Sequence, residues 1–347
     1  MNDPSISDRT DDGFVETSAP RENPYGAFAI RTALGIAVVA LLLGHYNARP
    51  VFHALARERI GYFAGAIALY LASQVMSAWR WQLLARLNSI AGPFREYLAY
   101  YFVGVFTNLF VPGLVGGDAA RALYLGRRHN RLAEAIASVI ADRGIGLIAL
   151  FWFAAGCALT LRAAKLPPSV LRVTVTIGAA ALAGWLTSPL LARFATRLGG
   201  RLARVVEPIL PYLRRPAAII PAIILSLILQ ASLAVCQYLL ARGLGLETSL
   251  ATFMLCVPIA NVFASLPITL NGLGVREAAY LVLFGYAGLS KPDAIALGLL
   301  WFASTMIGGL SGGIFAFVTT KLPIVSEDTA EAPALAADGA MGGNTNG

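Results

Sequence analysis

Nine apolar stretches dominate this chain: 27–46, 60–79, 94–111, 132–161, 169–191, 216–241, 249–266, 273–289 and 292–320. Most are near the ~20 residues that an α-helix needs to cross a hydrocarbon core of about 30 Å. Polar residues collect in the short connections between them and in two tails. The pattern predicts an all-α polytopic membrane protein. Two stretches do not read as simple spans. The apolar run 94–111 is followed at once by a Pro/Gly break and a short helix over 114–128, and the run 249–289 is cut by Pro267, Asn271, Gly272 and Gly274.

The two breaks share a grammar. The first reads T-N-L-F-V-P-G-L-V-G-G-D-A-A-R over 107–121, and the second S-L-P-I-T-L-N-G-L-G-V-R-E over 265–277. Each is an apolar helix, a Pro/Gly interruption, then charge opening a second helix. Irregular backbone at membrane depth is tolerated only where protein or a wet cavity covers it. Paired interruptions in corresponding halves are a pointer to a transport site. We expect about six full spans plus two re-entrant helical hairpins, 94–127 and 249–289, entering from opposite faces with tips at 112–117 and 267–274. The competing count makes the hairpin halves full spans. Residues 117–127 are too short for that at about 1.5 Å per residue.

Composition sharpens the class. The chain of 347 residues is 57% hydrophobic and 13% charged, against about 25% charged in a soluble domain. The net charge of +8 does not imply nucleic acid, because the arginines flank apolar runs, where they meet headgroups. With both hairpins re-entrant, the termini and the connections 79–95, 121–131 and 191–215 share one side. That side holds sixteen basic residues against nine on the other, so it is expected to be cytoplasmic. Residues 1–24 and 322–347 are expected to be disordered cytoplasmic tails around a membrane domain at 25–321. The acidic start is too long for a cleaved signal peptide. Cys157, Cys236 and Cys256 lie in apolar runs without redox or metal spacing, and His45, His53 and His129 fall at span ends or in loops. No metal site, cofactor or catalytic constellation is expected.

The chemistry is expected at the breaks. Gly116 and Gly117 allow a sharp turn. Asp118 suits an N-cap, and Arg121 shares its face. A helix start with an arginine suits a phosphate, and the carboxylate suits a cation. The ordinary alternative is a capped surface helix with a snorkelling Arg121. Arg276 and Glu277 are adjacent and need separate partners. Asp142 and Arg143 lie ten and eleven residues past Leu132, near mid-membrane if the helix starts there, or at the interface if it starts nearer Ala137. Cross-pairing is expected: Asp142 with Arg121 or Arg276, and Arg143 with Asp118 or Glu277. The candidate headgroup site is therefore Asn108, Gly116, Gly117, Asp118, Arg121, Asp142, Arg143, Asn271, Gly272, Gly274, Arg276 and Glu277. Trp79-Arg80-Trp81 reads as an interfacial anchor. Ile307–Gly313 reads as a close-packing surface.

On the motifs N-L-F-V-P-G-L-V-G-G-D-A-A-R, D-R-G-I-G and P-I-T-L-N-G-L-G-V-R-E, the chain resembles the transmembrane flippase domain of the lysylphosphatidylglycerol synthase/flippase family. The resemblance covers roughly 30–320, in a stand-alone form without the soluble synthase half. It implies a non-enzymatic flippase of the cytoplasmic membrane that moves an aminoacyl-phosphatidylglycerol-like or polyprenyl-linked lipid. Its partners would be the membrane lipid and a lipid-synthesising enzyme encoded separately. Two rivals are a non-transporting scaffold of a lipid-modifying enzyme and an embedded enzyme acting on lipid-linked sugars.

Overall fold

The computed structural model describes residues 48–110, 115–161, 166–195, 207–264 and 274–319, with isolated positions before them. The expected tails, most of the first expected span and the breaks at 111–114 and 265–273 lie outside the described residues. Among the described residues twelve α-helices follow one another: α1 (Ala48–Leu55), α2 (Ile60–Leu87), α3 (Phe94–Phe110), α4 (Val115–His129), α5 (Leu132–Thr160), α6 (Pro168–Leu186), α7 (Ser188–Ala195), α8 (Leu210–Arg214), α9 (Ile220–Gly243), α10 (Leu250–Ala264), α11 (Val275–Gly285) and α12 (Lys291–Thr319). No strand occurs among the described residues.

Among the described residues, five helical segments are long and apolar enough to cross a bilayer: Ile60–Leu87, Leu132–Thr160, Pro168–Leu186, Pro216–Gly243 and Lys291–Phe315. They coincide with five of the six expected full spans. Their outer faces carry exposed Val173, Ile177, Leu182, Ile224, Ile228, Leu310 and Ile314. Such helices, apolar nearly all round, suit lipid rather than water.

The four helices beside the breaks are short, with 17 and 15 residues in α3 and α4 and 15 and 11 in α10 and α11. Each pair folds back on itself. In the first, Gly104 backs onto Gly117 near the turn, while Glu96 meets Arg128 at 3.7 Å and His129 at 3.4 Å at the open end. In the second, Phe253 packs on Phe284 with ring centres 4.9 Å apart, and the Cys256 thiol points to the Leu283 carbonyl.

The two pairs open at opposite ends of the bundle. The start of α2 is fixed to the end of α9, where Arg59 N–H donates to the Gly243 carbonyl at 3.2 Å. The end of α2 is fixed elsewhere, Asn88 Nδ2 donating to Pro208 O at 2.9 Å. The α10/α11 pair opens at the first of these ends and the α3/α4 pair at the second. α2, at 28 residues, holds the ends about 42 Å apart.

The glycine-rich stretch of α12 brings the first pair against it. A Cβ on Gly309 would meet Leu109 at 2.7 Å, one on Gly312 the Phe102 carbonyl at 2.4 Å, and one on Gly308 the Tyr70 ring at 2.3 Å. The tip of α3 thus stops against Gly309, in the interior of α12. Close packing is the role expected of Ile307–Gly313.

Candidate functional site

Helix α5 begins at Leu132, not near Ala137, with Arg131 as its N-cap. Asp142 is therefore ten residues along. The helix has 29 residues, so its length of about 43 Å exceeds the hydrocarbon core. With the helix centred on that core, Asp142 lies about 8 Å inside the nearer boundary. It is within the apolar layer but short of the midplane.

At that level a chain of ion pairs runs across three helices. Asp142, 2% exposed, accepts from Arg80 Nε at 2.8 Å through Oδ1 and from Arg121 Nη1 at 3.1 Å through Oδ2. Asp118 takes Arg143 in a fork, Nε at 2.6 Å and Nη2 at 2.9 Å. It also lies 3.2 Å from Arg121 Nη2. The order is Arg80–Asp142–Arg121–Asp118–Arg143. Three guanidiniums face two carboxylates, so the chain keeps one net positive charge. Arg80 is further held by Ser226 Oγ of α9 at 2.9 Å. The Arg121 guanidinium lies 5.0 Å from the Trp81 ring centre and 5.3 Å from that of Tyr101, within cation–π range. Arg121 is buried, yet its Nε has no hydrogen-bond partner.

This arrangement selects among the expected cross-pairings: Asp142 with Arg121, and Arg143 with Asp118. It also corrects two readings. Arg80 is not an interfacial anchor. The apolar run ends at Trp79, but α2 continues to Leu87, carrying Arg80 and Trp81 into the protein while Trp79 stays half exposed. Asp118 is not the N-cap of α4, because the helix starts at Val115 and Asp118 lies inside its first turn. The amide of Gly117 is taken instead by Asn108 Oδ1 at 2.8 Å. Asn108 thus ties the hairpin shut, and Gly117, against Gly104, lets α4 approach α3.

Arg276 and Glu277 form a second, separate group. Gly274 has a φ of 83°, a left-handed conformation natural to glycine. Its N–H donates to Glu277 Oε2, so the carboxylate caps its own helix. Glu277 is fully buried, and its Oε1 lacks a partner. Arg276, 7% exposed, makes no ion pair among the described residues, and its Nε and Nη1 have no hydrogen-bond partner. Nearby, the Tyr280 hydroxyl donates to Gln237 Oε1, both fully buried. Asn271 and Gly272 lie outside the described residues.

Arg80, Ser226, Trp81 and Gln237 escaped the sequence reading. Ser226 and Gln237 sit in an uninterrupted apolar run, where lone polar residues carry little pattern. Arg80 was legible only through the length of α2.

Comparison with known proteins agrees with this architecture. A UPF0104 membrane protein of Pyrococcus horikoshii is 23% identical over 327 residues, covering 84% of this chain and 97% of its own. A UPF0104 membrane protein of Methanothermobacter thermautotrophicus is 23% identical over 298 residues, covering 77% and 88%. The family described as the lysylphosphatidylglycerol synthase TM region matches residues 28–313. The chain belongs to that family.

Proposed function

We propose that this protein moves the polar headgroup of a membrane lipid across the cytoplasmic membrane, the acyl chains staying in the bilayer. The observation that carries the reading is the charge chain at the first hairpin, Arg80–Asp142–Arg121–Asp118–Arg143, built inside an apolar bundle. Charges at this depth are rare and mark substrate pathways. Arg143 supports it further, since its side chain is 51% exposed. A guanidinium eleven residues into a spanning helix is costly against hydrocarbon. Its open face is better matched to a wet crevice through which a headgroup could enter. The second hairpin, which opens at the opposite end of the bundle, carries a buried Arg276 beside its tip, a second cationic station on the way to the other leaflet. The family relationship is consistent with lipid handling.

The test is reconstitution of the purified protein in liposomes containing fluorescent phospholipid, with leaflet exchange read by quenching of the outer leaflet. Wild type is expected to accelerate exchange. Arg276→Ala breaks no ion pair among the described residues, and Arg121→Ala leaves Asp142 on Arg80 and Asp118 on Arg143. Both variants should fold and lose exchange. If the wild type leaves every lipid in its leaflet, the chain is not a transporter, and the scaffold reading replaces this one.

A further inference from the structure

We infer that the connection between α6 and α9 holds an anionic phospholipid that is bound rather than carried, its phosphate between Arg193 and Arg214. Depth comes first. Helix α6 has 19 residues, so at about 1.5 Å per residue it just crosses a hydrocarbon core of about 30 Å. Helix α7 follows after Thr187 alone, and Arg214 and Arg215 stand immediately before the spanning segment Pro216–Gly243. Both pieces therefore lie at the level of lipid phosphates. Helix α7 is two-sided. Leu190, Leu191 and Phe194 are more than half exposed, a face suited to acyl chains, while Ser188 and Ala192 are buried away from it. Arg193, three residues past Leu190, borders the apolar face. It and Arg214 of α8, both exposed, line a pocket of about 270 Å³ with Pro189 and Ala192.

Two guanidiniums from different helices thus converge where a phosphate lies, and their planar forks match its oxygens. The surroundings add to the attraction. Residues 188–215 hold six arginines and one acid, Glu207, and a field of one sign gathers anionic lipid from the leaflet. A water-soluble anion would leave the apolar face uncovered, whereas a phospholipid fits both halves of the site. The surface is also tied to the ion chain. The Tyr212 hydroxyl of α8 donates to the Leu84 carbonyl at 2.9 Å, one turn past Arg80 on α2. Tyr212 shares a buried cluster with Leu84 and with Ile145 of α5, which lies nearly one turn past Asp142. A lipid bridging α7 and α8 therefore steadies the helices that carry Arg80 and Asp142. The binding stands apart from the transporter reading; only its effect on exchange rests on that reading.

The test is lipid binding to the intact protein in detergent, read by native mass spectrometry. The probes are phosphatidylglycerol, phosphatidylcholine and inorganic phosphate. Phosphatidylglycerol should bind about tenfold tighter than phosphatidylcholine or more, the scale of two arginines at a charged surface. Arg193→Gln combined with Arg214→Gln should remove that preference, and lysine at both positions should restore part of it. Lipid held at the ion chain would survive these surface changes, so the loss locates the site. Arg95→Gln, at an exposed arginine of α3 on the same end of the bundle, should leave binding unchanged. Equal binding of the two lipids overturns the inference, and so does an equal loss in Arg95→Gln, which would mark general surface charge. Inorganic phosphate binding as tightly as the lipid overturns it too, marking a site for the free ion. The separate arm is leaflet exchange of fluorescent phosphatidylcholine in phosphatidylcholine vesicles with and without phosphatidylglycerol. Wild type should be several-fold faster with the anionic lipid, and the double variant should not respond. Wild-type exchange that ignores phosphatidylglycerol overturns the link to the ion chain. If phosphatidylglycerol binds at the two arginines but no lipid changes leaflet in either vesicle, the transporter reading fails and the lipid site stands.

Discussion

Asp142 joins two arginines of the ion chain through its two carboxylate oxygens. Among the described residues it is the carboxylate that pairs with both Arg80 and Arg121. Replacing it with alanine leaves the buried Arg80 without a carboxylate and Arg121 with Asp118 alone, and losing one partner of a buried pair costs about 3–5 kcal/mol. Arg143→Ala removes a half-exposed partner, and such pairs contribute up to about 1 kcal/mol. Asp142→Ala is thus expected to lower the thermal midpoint in detergent sharply, while Arg143→Ala leaves it nearly unchanged. Equal shifts would mean that the ion chain is not the structural tie it looks like. Glu58 makes a different residue-scale prediction. It lies in the connection before α2, outside the spanning helices, pressed on Gly243, with neither carboxylate oxygen hydrogen-bonded. The adjacent Arg57 is turned away to Asp293 at 2.6 Å. Burial raises the Glu58 pKa from 4.5 to about 7. A raised carboxyl pKa means the folded state holds the proton longer than the unfolded one. Its contribution is full below pH 4.5 and is lost as pH rises to about 7. Wild type should lose stability over that window relative to Glu58→Gln. Parallel melting curves for the two proteins across it would refute the assignment.

At the scale of elements, the hairpins stand or fall on glycine contacts. A Cβ on Gly117 would lie 2.0 Å from the Gly104 carbonyl oxygen, a backbone atom that cannot swing aside. Gly144, on the open face of α5, has nothing within 4 Å. Gly117→Ala should therefore destabilise by about 1–3 kcal/mol or more, whereas Gly144→Ala should be neutral or slightly favourable, since alanine is the better helix former. A melting comparison of the pair isolates hairpin packing from general intolerance of α-helical glycine. These contacts also explain what was legible beforehand. Length against bilayer thickness marked only 117–127, within α4, as too short to span, and the Pro/Gly breaks marked where each hairpin was expected to turn. Which residue caps α4 was not legible: Asn108 and Asp118 are equally good capping types, and only the approach of α3 decides for Asn108. Arg80 was misread because hydropathy tracks where apolar residues stop, whereas a helix stops only where its backbone does. The charges of the DRGIG motif were easier, because opposite charges in an apolar bundle have few places to go.

At the scale of the whole molecule, the interior arginines change how charge should be counted for orientation. Arg80 and Arg121 belong by position to the arginine-rich side and Arg276 to the other, yet all three are buried. Setting them aside turns sixteen against nine into fourteen against eight, so the asymmetry survives, and with it the expectation that the end of α2 and the start of α9 face the cytoplasm. Because α2 ties its start to Gly243 and its end to Pro208, one measurement on each end fixes the whole bundle. Arg215, at the start of the α9 segment, and Glu247, just past its end, are both exposed. With the half-buried Cys157 replaced by serine, Glu247→Cys should react with an impermeant maleimide in intact cells, and Arg215→Cys should react only after the membrane is opened. The reverse pattern would invert the molecule, place the α3/α4 hairpin and its charge chain on the outer side, and make the outer leaflet the first source of headgroups for that site. Labelling of both positions from outside would deny that the segment Pro216–Gly243 crosses the membrane, and with it the opposed hairpins on which the proposed movement of headgroups rests.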